Sequence, residues 1–238
     1  MHPDTMRLID RWVGIPLCFF ASIWPLKKAQ ADSNSTLATN IPPPDTIVFI
    51  LIAEIGALVV AYPAIKETRK QHPKSRICFI TAPAGLQTLE LMGFEKEDIF
   101  LLETSSIKSL LKGIVNIRSH FKGKRVSAIV LEPFTRFSTL LSAWIGASKR
   151  IGCYRFLNEG VYLGNILTHR LVYNPHLHMS QTYFALAKAL IEPDSAKPLL
   201  KEYIPSQIKN RLKINIPEKE RQTLMKRLQS ECPENPLK

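Results

Sequence analysis

A buried strand that leads through a tight turn into a helix constrains this chain more than any other feature. The seven residues 47–53 (IVFILIA) are all apolar and rich in β-branched types, which is typical of a strand buried on both faces. Glu54, Ile55 and Gly56 interrupt this run, and an apolar-periodic stretch follows over 58–65. Strands buried on both faces belong to parallel sheets, so the segment predicts the first strand–turn–helix unit of an α/β domain.

The same alternation continues to about residue 153. Further strands are predicted at 76–81, 98–102, 125–131 and 149–153, with helices at 86–92, 105–121 and 135–145 between them. Strands that alternate with helices favour a doubly wound, mostly parallel sheet with right-handed crossovers. The predicted fold class is therefore α/β and Rossmann-like, and a further helix is predicted at 179–191.

Changes in composition divide the chain into four predicted segments. Residues 1–31 form a hydrophobic or amphipathic N-terminal helix, and residues 32–44 form a proline-rich linker. Residues 45–192 form the α/β domain, and 193–238 form a Lys- and Glu-rich helical tail.

The N-terminal segment carries an apolar stretch, 12–26, with Arg7 and Arg11 before it and Lys27 and Lys28 after it. Two prolines interrupt the stretch, and it is shorter than the roughly 20 residues that a spanning helix needs. We favour a helix that packs on the domain or lies in a membrane interface. A true anchor and a cleaved signal peptide remain open.

The composition points to an anionic partner. The formal charge is +12 and the pI is about 9.6, which suits phosphate-bearing sugars or lipids, a membrane face or nucleic acid, although a basic but uninvolved surface would look the same. The four cysteines form no C-x-x-C pair. Three of them, Cys18, Cys78 and Cys153, lie in apolar surroundings, so buried thiols in a reducing compartment are expected rather than a disulfide framework or a metal site.

Several common motifs are missing from the sequence. No G-x-G-x-x-G follows the first strand, and there is no P-loop, no H-E-x-x-H and no G-x-S-x-G. Dinucleotide, P-loop nucleotide, zinc-protease and serine-hydrolase sites are therefore not expected. The sequence predicts no cofactor and no metal.

Polar residues follow two of the predicted strands at the place where each strand ends. Glu54 could act as a general base toward a substrate hydroxyl, or it could cap a helix. Glu132 occupies the equivalent place after the fourth strand. Arg136 follows near a helix N-terminus, where it could hold a phosphate or carboxylate with help from Ser138 or Thr139, or the segment could be an ordinary cap.

Three histidines follow one another at 169, 176 and 178, with Arg170 among them. Zinc would require a fourth ligand and tighter spacing, so a metal site is disfavoured. Contact of His178 with an anionic substrate and plain loop or cap roles both remain open.

Four segments together resemble a known protein family. They are 6–18 (MRLIDRWVGIPLC), 53–73 (AEIGALVVAYPAIKETRKQHP), 134–154 (FTRFSTLLSAWIGASKRIGCY) and 174–190 (NPHLHMSQTYFALAKAL). In order and content they are similar to the heptosyltransferases, glycosyltransferase family nine. The likeness covers about residues 6–192.

The resemblance implies the N-terminal half of a GT-B architecture, in which two Rossmann-like domains face each other. This half would bind the acceptor, and the nucleotide-sugar donor would lie mostly on the other domain. The implied reaction is an inverting, metal-independent transfer from a nucleotide-sugar, ADP-heptose, onto an anionic glycolipid acceptor of the lipopolysaccharide type. The implied location is the cytoplasm, peripheral at the inner face of the membrane, which the basic charge suits. No nucleic-acid partner is expected, since no binding motif is present.

At one position, this sequence differs from the pattern of catalytic residues in the family. Heptosyltransferases place a catalytic aspartate directly after the turn glycine, whereas Ala57 follows Gly56 here. Glu54 is our substitute for the base. The expected acceptor-binding residues are Gly56, Glu132, Arg136, Ser138 and His178. The divergent leading segment suggests a subgroup whose sugar need not be heptose.

The chain ends where the first strand of a second domain is expected. A truncated chain should bind an acceptor poorly or not at all and transfer nothing alone. The alternative is a non-catalytic Rossmann-like module that binds an anionic glycan or a membrane surface.

Overall fold

The computed structural model describes residues 11–23, 43–52, 55–155, 161–192 and 218–231. The strands are β1 Thr46–Ile50, β2 Arg76–Thr81, β3 Ile99–Leu101, β4 Val126–Val130, β5 Lys149–Arg155 and β6 His169–Val172. The α-helices are α1 Gly14–Ile23, α2 Ile55–Gln71, α3 Leu86–Leu91, α4 Ile107–Phe121, α5 Arg136–Trp144, α6 Met179–Lys188 and α7 Glu218–Glu231. Short 3₁₀ turns occupy Pro83–Gly85, Lys96–Asp98 and Ala189–Ile191.

The six strands form one sheet in the order β3-β2-β1-β4-β5-β6. Every neighbouring pair is parallel. The chain winds outward from β1 to β3, then returns to the other side of β1 and winds outward again through β6. This is the strand order of the doubly wound nucleotide-binding folds. The predicted α/β, Rossmann-like, parallel architecture is confirmed.

Two apolar layers cover the sheet, because successive residues of a buried strand face opposite sides. Ile47 and Phe49 of β1 point to one side and join the core with α2, α3 and α6. Val48 and Ile50 point to the other side and join the core with α4 and α5. This explains why β1 has no polar alternation in its sequence.

The N-terminal helix α1 packs on the domain. Ser22 of α1 accepts a hydrogen bond at Oγ from the backbone N–H of Asn165, at 2.9 Å, in the β5–β6 connection. In the described part of the chain, no helix combines the length and the apolar character needed to cross a bilayer.

Cys18, Cys78 and Cys153 are buried in the structure, as the sequence predicts for their side chains. Burial raises the pKa of Cys78 and of Cys153 to about 12. The remaining cysteine, Cys232, lies outside the described residues, as do most of the predicted linker and the tail over 193–217.

One strand differs from the sequence-based expectation. The region before Tyr173 has no clear strand pattern in the sequence, yet it contains β6, which among the described strands pairs with β5 alone. Because β6 is a short edge strand that carries His169 and Arg170, it lacks the apolar run that marks the other strands.

Candidate functional site

The winding of the sheet reverses between β1 and β4, and this switch point is the natural place for a site. In open α/β sheets, ligands bind beyond the carboxyl ends of the strands where the strand order reverses. Here β1 pairs with β2 on one side and with β4 on the other. The segments that leave β1 and β4 therefore diverge at one edge of the sheet.

Glu132 bridges these two segments. Its Oε1 accepts a hydrogen bond of 2.8 Å from the backbone N–H of Ile52, which lies just beyond β1. Its Oε2 accepts a hydrogen bond from the hydroxyl of Ser138 in α5. Glu132 is only 8% exposed and Ser138 is fully buried. The carboxylate thus joins two strands and a helix at the switch point.

The loop after β4 holds a strained backbone. Phe134 has φ 61°, in the left-handed region that residues with a Cβ seldom adopt. Its ring packs edge-on against Tyr173, with ring centroids 5.4 Å apart. Strained conformations outside glycine persist where the surroundings impose them, and they cluster at functional sites. The strain supports a site at this loop.

The N-terminus of α5 opens beside the same loop. The hydroxyl of Thr135 donates to the carbonyl of Glu132 at 3.2 Å, and the Thr139 hydroxyl donates to the carbonyl of Thr135 at 2.8 Å. Arg136, the first residue of α5, donates from Nε to the carbonyl of Tyr162 at 3.1 Å. An arginine at a helix N-terminus next to the sheet edge suits an anionic ligand.

Gly56 lies in the first turn of α2. A Cβ built there would meet no heavy atom of the described chain within 4 Å beyond its own helix and chain neighbours, so a small side chain would fit at this position. Glu54, the predicted base, lies outside the described residues. The chain on its N-terminal side is fixed, because Ile52 donates to Glu132.

His178 caps α6. Its Nδ1 accepts from the backbone N–H of Ser180 at 3.2 Å, and its own N–H donates to Gln181 Oε1 at 3.0 Å, which completes a capping box. The ring is exposed. This cap role was one of the two open interpretations of His178.

The histidines at 169, 176 and 178 do not form a cluster. His169 begins β6 and is fully buried, with Nδ1 at 2.8 Å from the Thr168 hydroxyl and Nε2 at 2.9 Å from the carbonyl of Glu192. His176 and His178 follow the other end of that strand and are exposed. Among the described residues, no group of three or more His, Cys, Asp and Glu is placed to hold a metal ion.

The topology brings the predicted residues Gly56, Glu132, Arg136, Ser138 and His178 to elements that begin or end at this sheet edge. Direct contact joins Glu132 and Ser138. Sequence reasoning missed the N–H of Ile52 and the strained Phe134. Neither could be recognised from the local sequence. The N–H of Ile52 is a backbone group that every residue type except proline carries, and phenylalanine is not a residue type expected at positive φ.

Comparisons by sequence and by structure gave different results. No family model matches the sequence, and no curated protein is significantly similar to it. Among solved structures, a glycosyl transferase family 9 crystal structure from Veillonella parvula matches with a TM-score of 0.53 and 17% identity, over 80% of this chain and 51% of that chain.

Escherichia coli heptosyltransferase WaaC was also found, in two forms. The structure with ADP-2-deoxy-2-fluoro heptose has a TM-score of 0.49 and 10% identity, over 64% of this chain and 50% of that one. The structure with ADP has a TM-score of 0.47 and 10% identity, over 64% and 49%.

This chain therefore spans about half the length of the solved structures that it matches. At 17% identity the likeness to the Veillonella protein concerns the fold. At that level the resemblance seen in the sequence is confirmed, and the chain shares its Rossmann-like fold with about half of a glycosyltransferase family 9 structure.

Proposed function

We propose that this chain is the acceptor-side half of a GT-B glycosyltransferase that transfers a sugar from a nucleotide-sugar, ADP-heptose, onto a lipopolysaccharide-type acceptor. The observation that carries the proposal is the polar group at the switch point of a sheet that has the fold of a family 9 glycosyltransferase structure. A donor domain that faces this edge would complete the cleft.

The acceptor is an anionic glycolipid in this proposal. Arg136 and the N-terminal N–H groups of α5 hold its phosphate or carboxylate, because both attract anions. Gly56 lets the acceptor approach the first turn of α2, where a side chain would fill open space. His178 contributes from the N-terminus of α6 while its Nδ1 caps that helix.

Glu54 is the general base in this proposal. Its carboxylate takes the proton of an acceptor hydroxyl as that oxygen forms a bond to the anomeric carbon of the donor sugar. The bond from the anomeric carbon to the diphosphate oxygen breaks, and the diphosphate leaves with the electron pair, so the configuration inverts. No metal ion takes part, and the donor is bound mainly by the other domain.

Glu132 and Ser138 act in this scheme as positioning residues. Glu132 is too buried to meet a large acceptor directly, but it fixes Ile52, two residues before Glu54. We place the protein in the cytoplasm at the inner face of the membrane, where a glycolipid acceptor would be reached.

The first test is acceptor binding by the chain itself. A phosphorylated lipopolysaccharide-core oligosaccharide, titrated in saturation-transfer NMR, is expected to bind weakly, with a Kd of about 1 mM, because this chain supplies only the acceptor side of the proposed cleft. Arg136→Ala should weaken binding further, and Lys96→Ala, an exposed lysine before β3, should not. The absence of binding at millimolar concentration, or equal loss in both variants, would contradict the acceptor assignment.

The second test addresses the base. Transfer from ADP-heptose is measured by mass spectrometry of the acceptor, with the donor-side half of a heptosyltransferase added to this chain. Glu54→Gln should reduce turnover by roughly 10²- to 10⁴-fold, whereas the exposed Glu95→Gln should not. Unchanged turnover in Glu54→Gln would remove the base assignment. Acceptor binding without any transfer would favour the non-catalytic glycan-binding module.

A further inference from the structure

The helix α1 rests on the domain through its small residues. Gly14 and Cys18 are buried, and the Ser22 hydroxyl donates to the carbonyl of Cys18 at 2.6 Å. Gly164 of the β5–β6 connection lies against this face: a Cβ there would come within 2.8 Å of the Cys18 carbonyl and closer still to Ser22 Oγ. One side of α1 is therefore fixed by close backbone contact.

The large apolar residues of the same segment point the other way. Trp12 is 71% exposed, Phe20 66% and Ile23 67%. A helix at the surface of a soluble domain normally buries its large apolar residues and exposes its polar ones. The reverse arrangement leaves these large apolar side chains exposed in the described part of the chain.

A second apolar stripe lies on α4, on the side of the sheet that also carries α5. Ile107, Leu111 and Val115 recur every four residues and are all exposed, while Ile117 and Phe121 of the same helix enter the core beneath. The helix α5 joins the same core as α4 and packs against α1. We call the exposed side chains of Trp12, Phe20, Ile23, Ile107, Leu111 and Val115 the α1–α4 surface.

The helices of this side carry no acidic residue. The segments Gly14–Ile23, Ile107–Phe121 and Arg136–Trp144 contain no Asp or Glu, and Asp10 and Glu103 precede α1 and α4. Exposed Lys108, Lys112 and Arg118 lie on α4. The apolar stripe is thus bordered by positive charge.

We propose that the α1–α4 surface lies on a lipid bilayer that contains anionic headgroups. Apolar aromatic side chains enter the boundary between headgroups and acyl chains, and neighbouring lysines gain from anionic lipid. A second copy of this chain would bring two basic, acid-free faces together, which like-charge repulsion opposes. The proposal identifies the surface by which the protein would bind the membrane. It can be tested separately from sugar transfer, because vesicle binding requires no acceptor.

The test is co-sedimentation of the full chain with vesicles of phosphatidylethanolamine and phosphatidylglycerol, compared with phosphatidylcholine alone. Trp12→Ser combined with Phe20→Ser should lower the partition coefficient on anionic vesicles about tenfold or more, because two large apolar side chains lose their burial. Lys108→Glu combined with Lys112→Glu should abolish the preference for anionic vesicles.

Matched controls lie on the opposite side of the sheet and on α7. Leu91→Ser combined with Leu224→Ser removes two exposed apolar side chains, and Lys66→Glu combined with Lys70→Glu reverses two exposed charges on α2. Both should bind vesicles as the parent chain does, with circular dichroism confirming that every variant is folded. Equal binding by all variants would overturn the proposal. So would a dimer in analytical ultracentrifugation that Trp12→Ser with Phe20→Ser abolishes, since a second copy would then occupy the surface.

Discussion

At the scale of single residues, Glu132 explains how the switch point is held together. A carboxylate that is almost fully buried costs free energy unless donors satisfy it. Here the donors come from the exit of β1 and from α5, 80 residues and six residues away in sequence. The charge is therefore compensated by groups that also fix the geometry of the candidate site.

Removing the Ser138 hydroxyl should destabilise the protein. Ser138→Ala takes a donor from the buried carboxylate of Glu132, which is expected to lower the free energy of unfolding by about 1–3 kcal/mol. Urea unfolding measures this change. Ser119→Ala is the control, because the Ser119 hydroxyl bonds the Asn116 carbonyl at an exposed site, and there the change should stay within about 0.5 kcal/mol. If Ser138→Ala lowered the free energy of unfolding no more than Ser119→Ala does, the hydrogen bond from Ser138 to Glu132 would not contribute to stability.

His72 predicts a pH dependence of stability. Burial, and then the positive charge of Lys149, lower the pKa of His72. Its Nε2 is buried without a hydrogen-bond partner among the described residues. The unfolded chain takes up a proton near pH 6.5 while the folded chain resists it, so stability should fall as the pH drops below about 6.5.

The free energy of unfolding, measured between about pH 7.5 and about pH 5.5, tests this dependence. His72→Gln should reduce the slope. Part of the slope should remain, since burial and Lys124 also lower the pKa of His120. An unchanged slope in His72→Gln would show that His72 does not cause the pH dependence of stability.

At the scale of secondary structure, the elements with strong apolar runs were predictable. Residues 76–81 were predicted as a strand and form β2 with those bounds, because a strand covered on both faces must be apolar throughout. β6 was missed, since only its pairing with β5 makes it a strand. The bridge from Glu132 to Ile52 spans 80 residues of sequence, so local patterns placed both segments at the sheet edge but could not show their contact.

The packing of α1 on the domain depends on Gly164. This glycine has φ +59°, and a Cβ there would collide with Ser22 and the Cys18 carbonyl. Gly164→Ala should therefore displace α1, seen as faster hydrogen exchange of the amides of residues 14–23 while the sheet amides stay protected.

Gly146 provides the matched control for backbone strain. It has φ +80°, but a Cβ there would meet nothing within 4 Å. Gly146→Ala should cost about 1–2 kcal/mol of stability through its left-handed conformation and leave the exchange of α1 unchanged. If Gly164→Ala also left the amides of α1 protected from hydrogen exchange, the close contact between Gly164 and α1 would not be what holds the helix on the domain.

At the scale of the whole molecule, the two apolar layers share one sheet, which should make them unfold together. Phe79 is fully buried on the α2–α6 side, with its ring centroid 5.8 Å from that of Phe49 and 5.8 Å from that of Phe94. Phe79→Ala should lower the free energy of unfolding by about 3–5 kcal/mol. Phe20→Ala removes the same side chain from an exposed position and should stay within about 0.5 kcal/mol.

Two probes distinguish joint from separate unfolding. Far-UV circular dichroism reports on all elements. The fluorescence of Trp144, measured with Trp12 and Trp24 replaced by Phe, reports on α5, across the sheet from Phe79. Because β1 contributes Val48 and Ile50 to one layer and Ile47 and Phe49 to the other, a loss on either side weakens the strand that both layers need. Both transitions should therefore shift to the same lower urea concentration in Phe79→Ala. A shift in circular dichroism alone would mean that the layers fold independently and that the switch point between β1 and β4 does not couple them.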